Sequence, residues 1–236
     1  MAKSRHDKRR ERDAKQDKAA TVVPAAVNVT QSVTPQVPGS EICSQFALII
    51  EILDAWHPGS GRGRGLQFDA TALRDEDGFP YLTGRHLRGL IRDAMVCLAA
   101  WKHLQGDATE LRLFGPRRGQ TGQPQHGRRL DLWRAELPQE DRAALGLAGA
   151  AASLFQGRHL IAMDGERQVT QPRTLRSVEI VVPLTLVAPL TLRSSSPGQQ
   201  ASDIKALRQA VALVHAVGRH RNRGLGRARL SLETLP

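Results

Sequence analysis

The sequence predicts an α+β fold, an antiparallel sheet with helices on one face, from three observations. Stretches 45–53, 178–192 and 226–233 are apolar and β-branched or alternate with period two. Stretches 84–103 and 204–217 instead repeat their apolar residues at intervals of three and four. The order along the chain is strand, helix, strand, irregular excursion, strand, helix, strand. A split βαββαβ order builds a ferredoxin-like (RRM-like) antiparallel sheet with two helices on one face, leaving the other face and the loops for a ligand.

Taken in order, residues 1–18 carry eight Lys/Arg against four Asp/Glu, and 19–40 are rich in Val, Thr, Pro and Gln without a period. Neither segment buries enough surface to offset its ordering cost. Residues 1–40 are therefore expected to form a basic arm, disordered alone, that orders on RNA or a partner or acts as a solubilising tail. The folded domain is expected over 41–236. Its first strand, Gln45–Leu53, runs into a glycine-arginine loop, Trp56-His57-Pro58-Gly59-Ser60-Gly61-Arg62-Gly63-Arg64-Gly65. Phe68–Leu73 reads as a short strand and 75–78 as a turn. Thr83 is a plausible N-cap for a helix over 84–103, with Leu87, Leu90, Ile91, Ala94, Met95 and Leu98 as one buried stripe. Arg85, Arg88 and Arg92 fall on its other side near the helix start, where the dipole favours a phosphate.

Leu113-Phe114-Gly115 closes this unit, 116–127 is a loop, and Arg128–Glu136 reads as a strand. Ala143–Phe155 fits a helix and Gln156–Ser177 an exposed excursion. Val178–Leu192 is a strand broken by Pro183 and Pro189. After a loop over 194–200, Ser202 or Asp203 caps a helix that Gly218 stops. Phe79 and Tyr81 are expected to anchor the core beside Pro80, and Trp101 and Trp133 to lie in it. His103, His126, His159 and His215 read as structural or solvated.

A formal net charge of +11 and a pI near 10.9 point to a polyanion partner. Aromatic residues make up only 4%, which argues against binding built mainly on base stacking. Cys43 and Cys97 form no C-x-x-C pair, which suits a reducing compartment and argues against a zinc site. No apolar run reaches membrane-spanning length, so no membrane partner and a cytoplasmic location are expected. The densest basic feature is 218–229, with three glycines, five arginines and a histidine in twelve positions. Free N–H groups in such a loop form an anion-binding concavity, and arginine forks match phosphate oxygens in pairs. Arg219, Arg221, Asn222, Arg223, Gly224, Gly226 and Arg227 are its candidate RNA contacts; a basic, solvated turn is the plainer reading.

Four segments together resemble the RAMP superfamily of CRISPR-associated RNA-binding proteins over most of residues 45–233. Trp56-His57-Pro58-Gly59-Ser60-Gly61 looks like that family's L-H-x-G-S-G turn. Residues 77–92, Asp-Gly-Phe-Pro-Tyr-Leu-Thr-Gly-Arg-His-Leu-Arg-Gly-Leu-Ile-Arg, look like its D-G-x-P-Y-I-P-G-S-S-L-K-G-x-L-R segment, with Arg85-His86 in place of the small hydroxyl pair. Leu113-Phe114-Gly115 matches its L-F-G, and Gly218–Gly226 its C-terminal glycine-rich loop. Order and length look most like the backbone subunit of type III effector complexes. The resemblance implies guide RNA (crRNA) and complementary target RNA as ligands, with other effector subunits and copies of the same chain as partners. It also implies a thumb-like hairpin, here over about 156–177, and RNA contacts at His57, Ser60, Arg62, Arg64, Arg85, His86, Arg88 and Arg92.

The family's pattern D-x-x-x-x-R-D fits Asp69–Asp75, which makes Asp69 the candidate catalytic carboxylate and ligand of a divalent metal such as magnesium. Cleavage by RNA's own 2′-OH needs its deprotonation and neutralisation of the phosphorane charge. A carboxylate serves either need, directly or through a metal, and Arg62, Arg64 or His57 would stabilise charge. Residue chemistry alone also allows Asp69 to be a turn residue. His57, His86 and His220 titrate near neutrality and suit acid–base work. Open alternatives are a non-catalytic scaffold or capping subunit, a guide-processing endoribonuclease working through His57 or His220, and a basic module on another structured RNA.

Overall fold

The computed structural model describes residues 41–65, 67–101, 108–116 and 129–235. The expected arm, most of the 116–127 loop, His103 and His126 lie outside the described residues. Six strands are described: β1 (Ile42–Ile52), β2 (Leu130–Leu132), β3 (Phe155–Leu160), β4 (Arg176–Val181), β5 (Thr185–Ser194) and β6 (Ala228–Thr234). Four of them form one antiparallel sheet in the order β2-β5-β1-β6, and β3 and β4 form a separate antiparallel hairpin.

Period two decides which face of the main sheet is covered. Phe46, Leu48, Ile50 and Ile52 of β1 and Leu186, Ala188, Leu190 and Leu192 of β5 all point into one core. The register sets Ile50 opposite Leu186, Leu48 opposite Ala188 and Phe46 opposite Leu190, so apolar pairs stack in layers. Helices α1 (Gly84–Ala100) and α4 (Pro197–Leu213) close that face and pack on each other. All six stripe residues expected in α1 are buried, and Thr83 caps it, its side chain accepting from the His86 N–H at 3.3 Å. Each such buried leucine or isoleucine contributes roughly 1.5–3 kcal/mol.

Several boundaries differ from the sequence reading. Phe68–Leu73 makes only isolated bridges, among them Ala70 with Val178 and Ala72 with Gly59. The Arg128–Glu136 strand shortens to β2. The helix expected over 143–155 is α3 (Gln139–Leu147) followed by a 3₁₀ turn at Ala151–Leu154. Glu140 and Asp141 in its first turn complement the helix dipole and draw the start forward. Val178–Leu192 is two strands in two sheets, the chain changing sheets around Pro183. The last helix starts at Ser196, whose hydroxyl accepts from the Gln199 N–H with Pro197 at the first helical position. It ends at Leu213, short of Gly218.

Asp203 is no cap. It is fully buried within α4 and paired with Arg112 of the short helix α2 (Ala108–Phe114). Trp101 and Trp133, expected in the core, are 59% and 51% exposed. Phe79 is buried as expected, and Tyr81 is half-buried with the Arg134 guanidinium over its ring. His159 and His215 are exposed. Among the described residues no helix is long and apolar enough to cross a membrane.

Candidate nucleic-acid interface

The site forms where the loop after β1, the β3–β4 hairpin and the loop after α4 meet. His57 is fully buried at this junction. Its Nδ1 lies 2.6 Å from the Glu179 carbonyl, and its own carbonyl accepts from the Arg219 N–H at 2.8 Å. Burial lowers the His57 pKa, outweighing the Glu179 backbone bond, which raises it; His220 and Arg219 lower it further. A neutral ring donating through Nδ1 fits this geometry. The expected RNA contact at His57 is therefore a buried strut joining two loops. Ser60 is likewise a turn residue: its hydroxyl is 2.8 Å from that of Thr71 and accepts from the Arg62 N–H. Arg62 and Arg64 beside it are exposed.

Asp69 sits at the base of the hairpin, held by two reciprocal bonds to one residue. The Asp69 N–H donates to the Ser177 carbonyl at 2.8 Å, and the Ser177 N–H donates to Asp69 Oδ2 at 2.7 Å. Glu179 fastens the rest of this loop to β4. Its carboxylate accepts from the Ala72 N–H at 2.9 Å and from the Arg74 guanidinium at 2.6 Å, and that guanidinium lies 3.2 Å above the Phe155 ring. The sequence carries a faint signal for this clamp, since Glu179 is the one charge inside the apolar run 178–182.

The C-terminal loop turns tightly because two of its glycines have positive φ where a side chain has no room. A Cβ on Gly218 (φ +82°) would lie 2.8 Å from the His57 carbonyl, and one on Gly226 (φ +73°) would overlap the Val217 carbonyl. The Gly218 N–H donates to His86 Nε2 at 3.0 Å, so His86 carries its proton on Nδ1. Burial lowers the His86 pKa, with Arg221 adding to the effect. Arg221–Arg223 form a 3₁₀ turn flanked by His220 (φ +60°) and exposed Gly224.

Asp69, Arg176, Arg219, His220 and Arg223 line one cleft of about 640 Å³, with Gln171 and Thr174 of the hairpin forming part of its wall. A second hollow of about 530 Å³ shares Arg176, Arg219, His220 and Arg223 and extends to His86, Arg221 and Asn222. Arg176 escaped the sequence reading because it lies in the aperiodic excursion. Burial, then Arg219 and Arg223, lower the His220 pKa, which favours a neutral imidazole facing a cluster of guanidinium donors. Such a cluster binds phosphate oxygens, and a neutral imidazole accepts a proton. Among the described residues Asp69 is the only carboxylate lining the first cleft, and no three His, Cys, Asp or Glu gather to hold a metal. One anchored carboxylate fits a cation that draws its other ligands from substrate and water, and does not form a closed protein cage.

Four expected contacts lie elsewhere. Arg88 donates to the Phe114 carbonyl, and Arg92 bonds Glu110 and the Gly115 carbonyl, so both hold the Leu113-Phe114-Gly115 segment against α1. Arg227 is exposed and pairs with Asp54 at 3.1 Å. Arg85 is exposed at the start of α1.

No protein-family model matches the sequence, and no curated protein sequence matches it. Solved structures do match in fold. A chain of the type III-B Cmr-beta complex bound to cognate target RNA, determined by cryo-EM, is similar with a TM-score of 0.60 at 13% identity, covering 83% of this chain and 98% of that one. A chain of the apo state of type III-B Cmr-beta is similar with a TM-score of 0.57 at 13% identity, covering 80% and 97%.

Proposed function

We propose that this chain is an RNA-binding backbone subunit of a type III CRISPR effector complex. It holds guide RNA on its basic loops and presents Asp69 to complementary target RNA. The observation that carries the reading is the convergence of Asp69 with Arg176, Arg219, His220 and Arg223 on one cleft at the base of a projecting hairpin. Fold likeness to chains of type III-B complexes supports the same assignment. The sheet order β6-β1-β5-β2, with α1 after its first strand and α4 after its third, supports the ferredoxin-like reading and hence the RAMP resemblance. The β3–β4 hairpin, spanning 155–181, includes the 156–177 stretch read as the thumb and is taken as that thumb in this reading.

In this reading the arginines fix phosphates on either side of the scissile bond. Asp69, with its Oδ2 tethered by Ser177, orients the attacking 2′-hydroxyl or holds a divalent cation such as magnesium. That cation would neutralise charge developing on the phosphorane. His57 is too deeply buried to take part, which weighs against the guide-processing alternative as far as it rests on that residue.

The test is to purify the full chain with the products of its neighbouring genes at moderate salt and sequence the bound RNA. Repeat-derived tags joined to varied spacers are the expected result, and bulk ribosomal RNA would overturn the assignment. Asp69→Ala is expected to abolish cleavage of guide-complementary RNA while leaving guide binding within a factor of two. If the parent protein binds guide and never cleaves, the chain is the non-catalytic scaffold or capping subunit, as its lone cleft carboxylate would allow.

A further inference from the structure

Trp101 closes α1 as its C-cap residue, and its large ring is 59% exposed. Burying a free indole face is worth far more than leaving it in water, so a tryptophan exposed in a groove marks a binding surface more often than a scattered leucine does. Trp101 lines a groove of about 320 Å³ between α1 and the end of α4, together with the buried Leu90, Ala94 and Val214. Asp93 and Asn222 stand at the same groove, and so does Arg221. Arg221 and Asn222 also line the basic hollow with His86, Arg219 and Arg223. The hydrophobic groove is thus the continuation of the phosphate-binding loop, with one arginine shared between them.

We infer that this groove is a nucleobase subsite: an unpaired RNA base stacks on Trp101 while its phosphate rests on Arg221. The chemistry is complementary on both sides. A base offers an apolar face that the groove has room for and a polar edge that Asn222 and Asp93 meet with an amide and a carboxylate, while the basic loop neutralises the adjoining phosphate. Apolar protein segments would satisfy the indole but not the arginine, and a phosphate alone would satisfy the arginine but not the indole. The inference rests on the RNA-binding reading of the Gly218–Gly226 loop and adds a stacking contact that the low aromatic content of the chain does not suggest.

The experiment uses full-length protein carrying Trp133→Phe, so that Trp101 and the buried Trp56 are the remaining fluorophores. Single-stranded RNA of twelve uridines is titrated at several salt concentrations. Quenching of the tryptophan emission is expected on saturation. Trp101→Ala should abolish the quench and weaken binding roughly tenfold, in line with the loss of one stacked base. The slope of log affinity against log salt should stay unchanged, because no phosphate contact is removed. Trp101→Phe should restore most of the affinity, and Arg221→Ala should lower the salt slope instead. Tight binding without Trp101-dependent quenching, or unchanged affinity in Trp101→Ala, overturns the subsite alone. Absence of RNA binding by the parent protein overturns the subsite together with the function proposed above.

Discussion

Glu179 illustrates how a single buried side chain sets the geometry of a site it does not enter. Its carboxylate is 4% exposed, bonds the Ala72 N–H and the Arg74 guanidinium, and so keeps the Asp69–Arg74 segment on β4. Glu179→Ala strands a half-buried guanidinium and a buried N–H, and is expected to cost about 3 kcal/mol in urea unfolding. Glu179→Gln keeps the shape and one acceptor and should cost less. Equal stability of both variants with the parent would show that the clamp contributes nothing. The histidines give a second residue-level prediction. Burial lowers the pKa of His57 and His86 from the ordinary 6.5. The unfolded chain therefore binds more protons than the folded one once pH falls below that value, and stability present above about pH 6.5 is lost as the pH drops. The loss is at most about 1.4 kcal/mol per pH unit for each histidine. Chemical denaturation at pH 7.5 and 5.5 should show it. His57→Asn, which retains a donor for the Glu179 carbonyl, should flatten the dependence; an unaltered slope would remove His57 from the account.

Among the elements, β4 is built into the core through Val178–Val181, but the segment that β3 and β4 project, residues 161–175, is not, and this makes it removable. Nothing between residues 161 and 175 is buried, and Ile161, Met163, Val169 and Leu175 are all more than half exposed. Because Leu160 pairs with Arg176, an Asn-Gly turn in place of 161–175 closes the hairpin in register. The truncated protein should melt within about 4 °C of the parent, yet lose the cleft wall formed by Gln171 and Thr174 and with it the target cleavage that the proposed function entails. Cleavage at the parental rate would show that the projecting segment has no part in the reaction. The same elements show what the sequence makes legible. The stripe of α1 could be read residue by residue because the 3.6 period acts on one helix alone. β1 and β6 fall within three residues of their expected bounds because the period-two alternation of a strand is likewise local. Elements whose ends depend on more than periodicity differ from the expectation: α4 starts at Pro197 under the Ser196 cap, while Asp203, expected as the cap, lies inside the helix, buried and paired with Arg112, which is distant in sequence. The candidate site divides likewise. Asp69 and the 218–226 loop stood out by composition and motif, whereas Arg74, Arg176 and Glu179 matter only through contacts the fold creates. Arg88 and Arg92 are phosphate-ligand candidates from their helix position and from the resemblance; their partners, Phe114, Glu110 and Gly115, lie on a segment that folds back over α1.

Over the whole molecule, charge is the property that most constrains how the RNA of the proposed function would be held. The chain carries a formal net charge of +11, of which residues 1–18 supply four. The rest belongs to residues 41–236, where several arginines converge on the two adjoining hollows around His220. Contacts from guanidinium groups to phosphates carry no base information, and each releases counterions from the strand. For single-stranded RNA each phosphate contact adds about 0.7 to the steepness of log affinity against log salt. If Arg219, Arg221 and Arg223 each engage one phosphate, replacing all three by alanine should reduce that slope by about 2. Two unrelated sequences of the same length should lose affinity in equal measure. Removing the segment 1–18 should lower the slope as well if the basic arm lies on the strand, and leave it unchanged if its net charge of +4 serves solubility alone. A loss confined to one RNA sequence in the triple variant would mean that the loop reads bases, and a backbone-tracking role for this protein would then fail. Equal losses with the expected slope would mean that sequence discrimination comes from pairing between guide and target, with the protein measuring only the path of the phosphates.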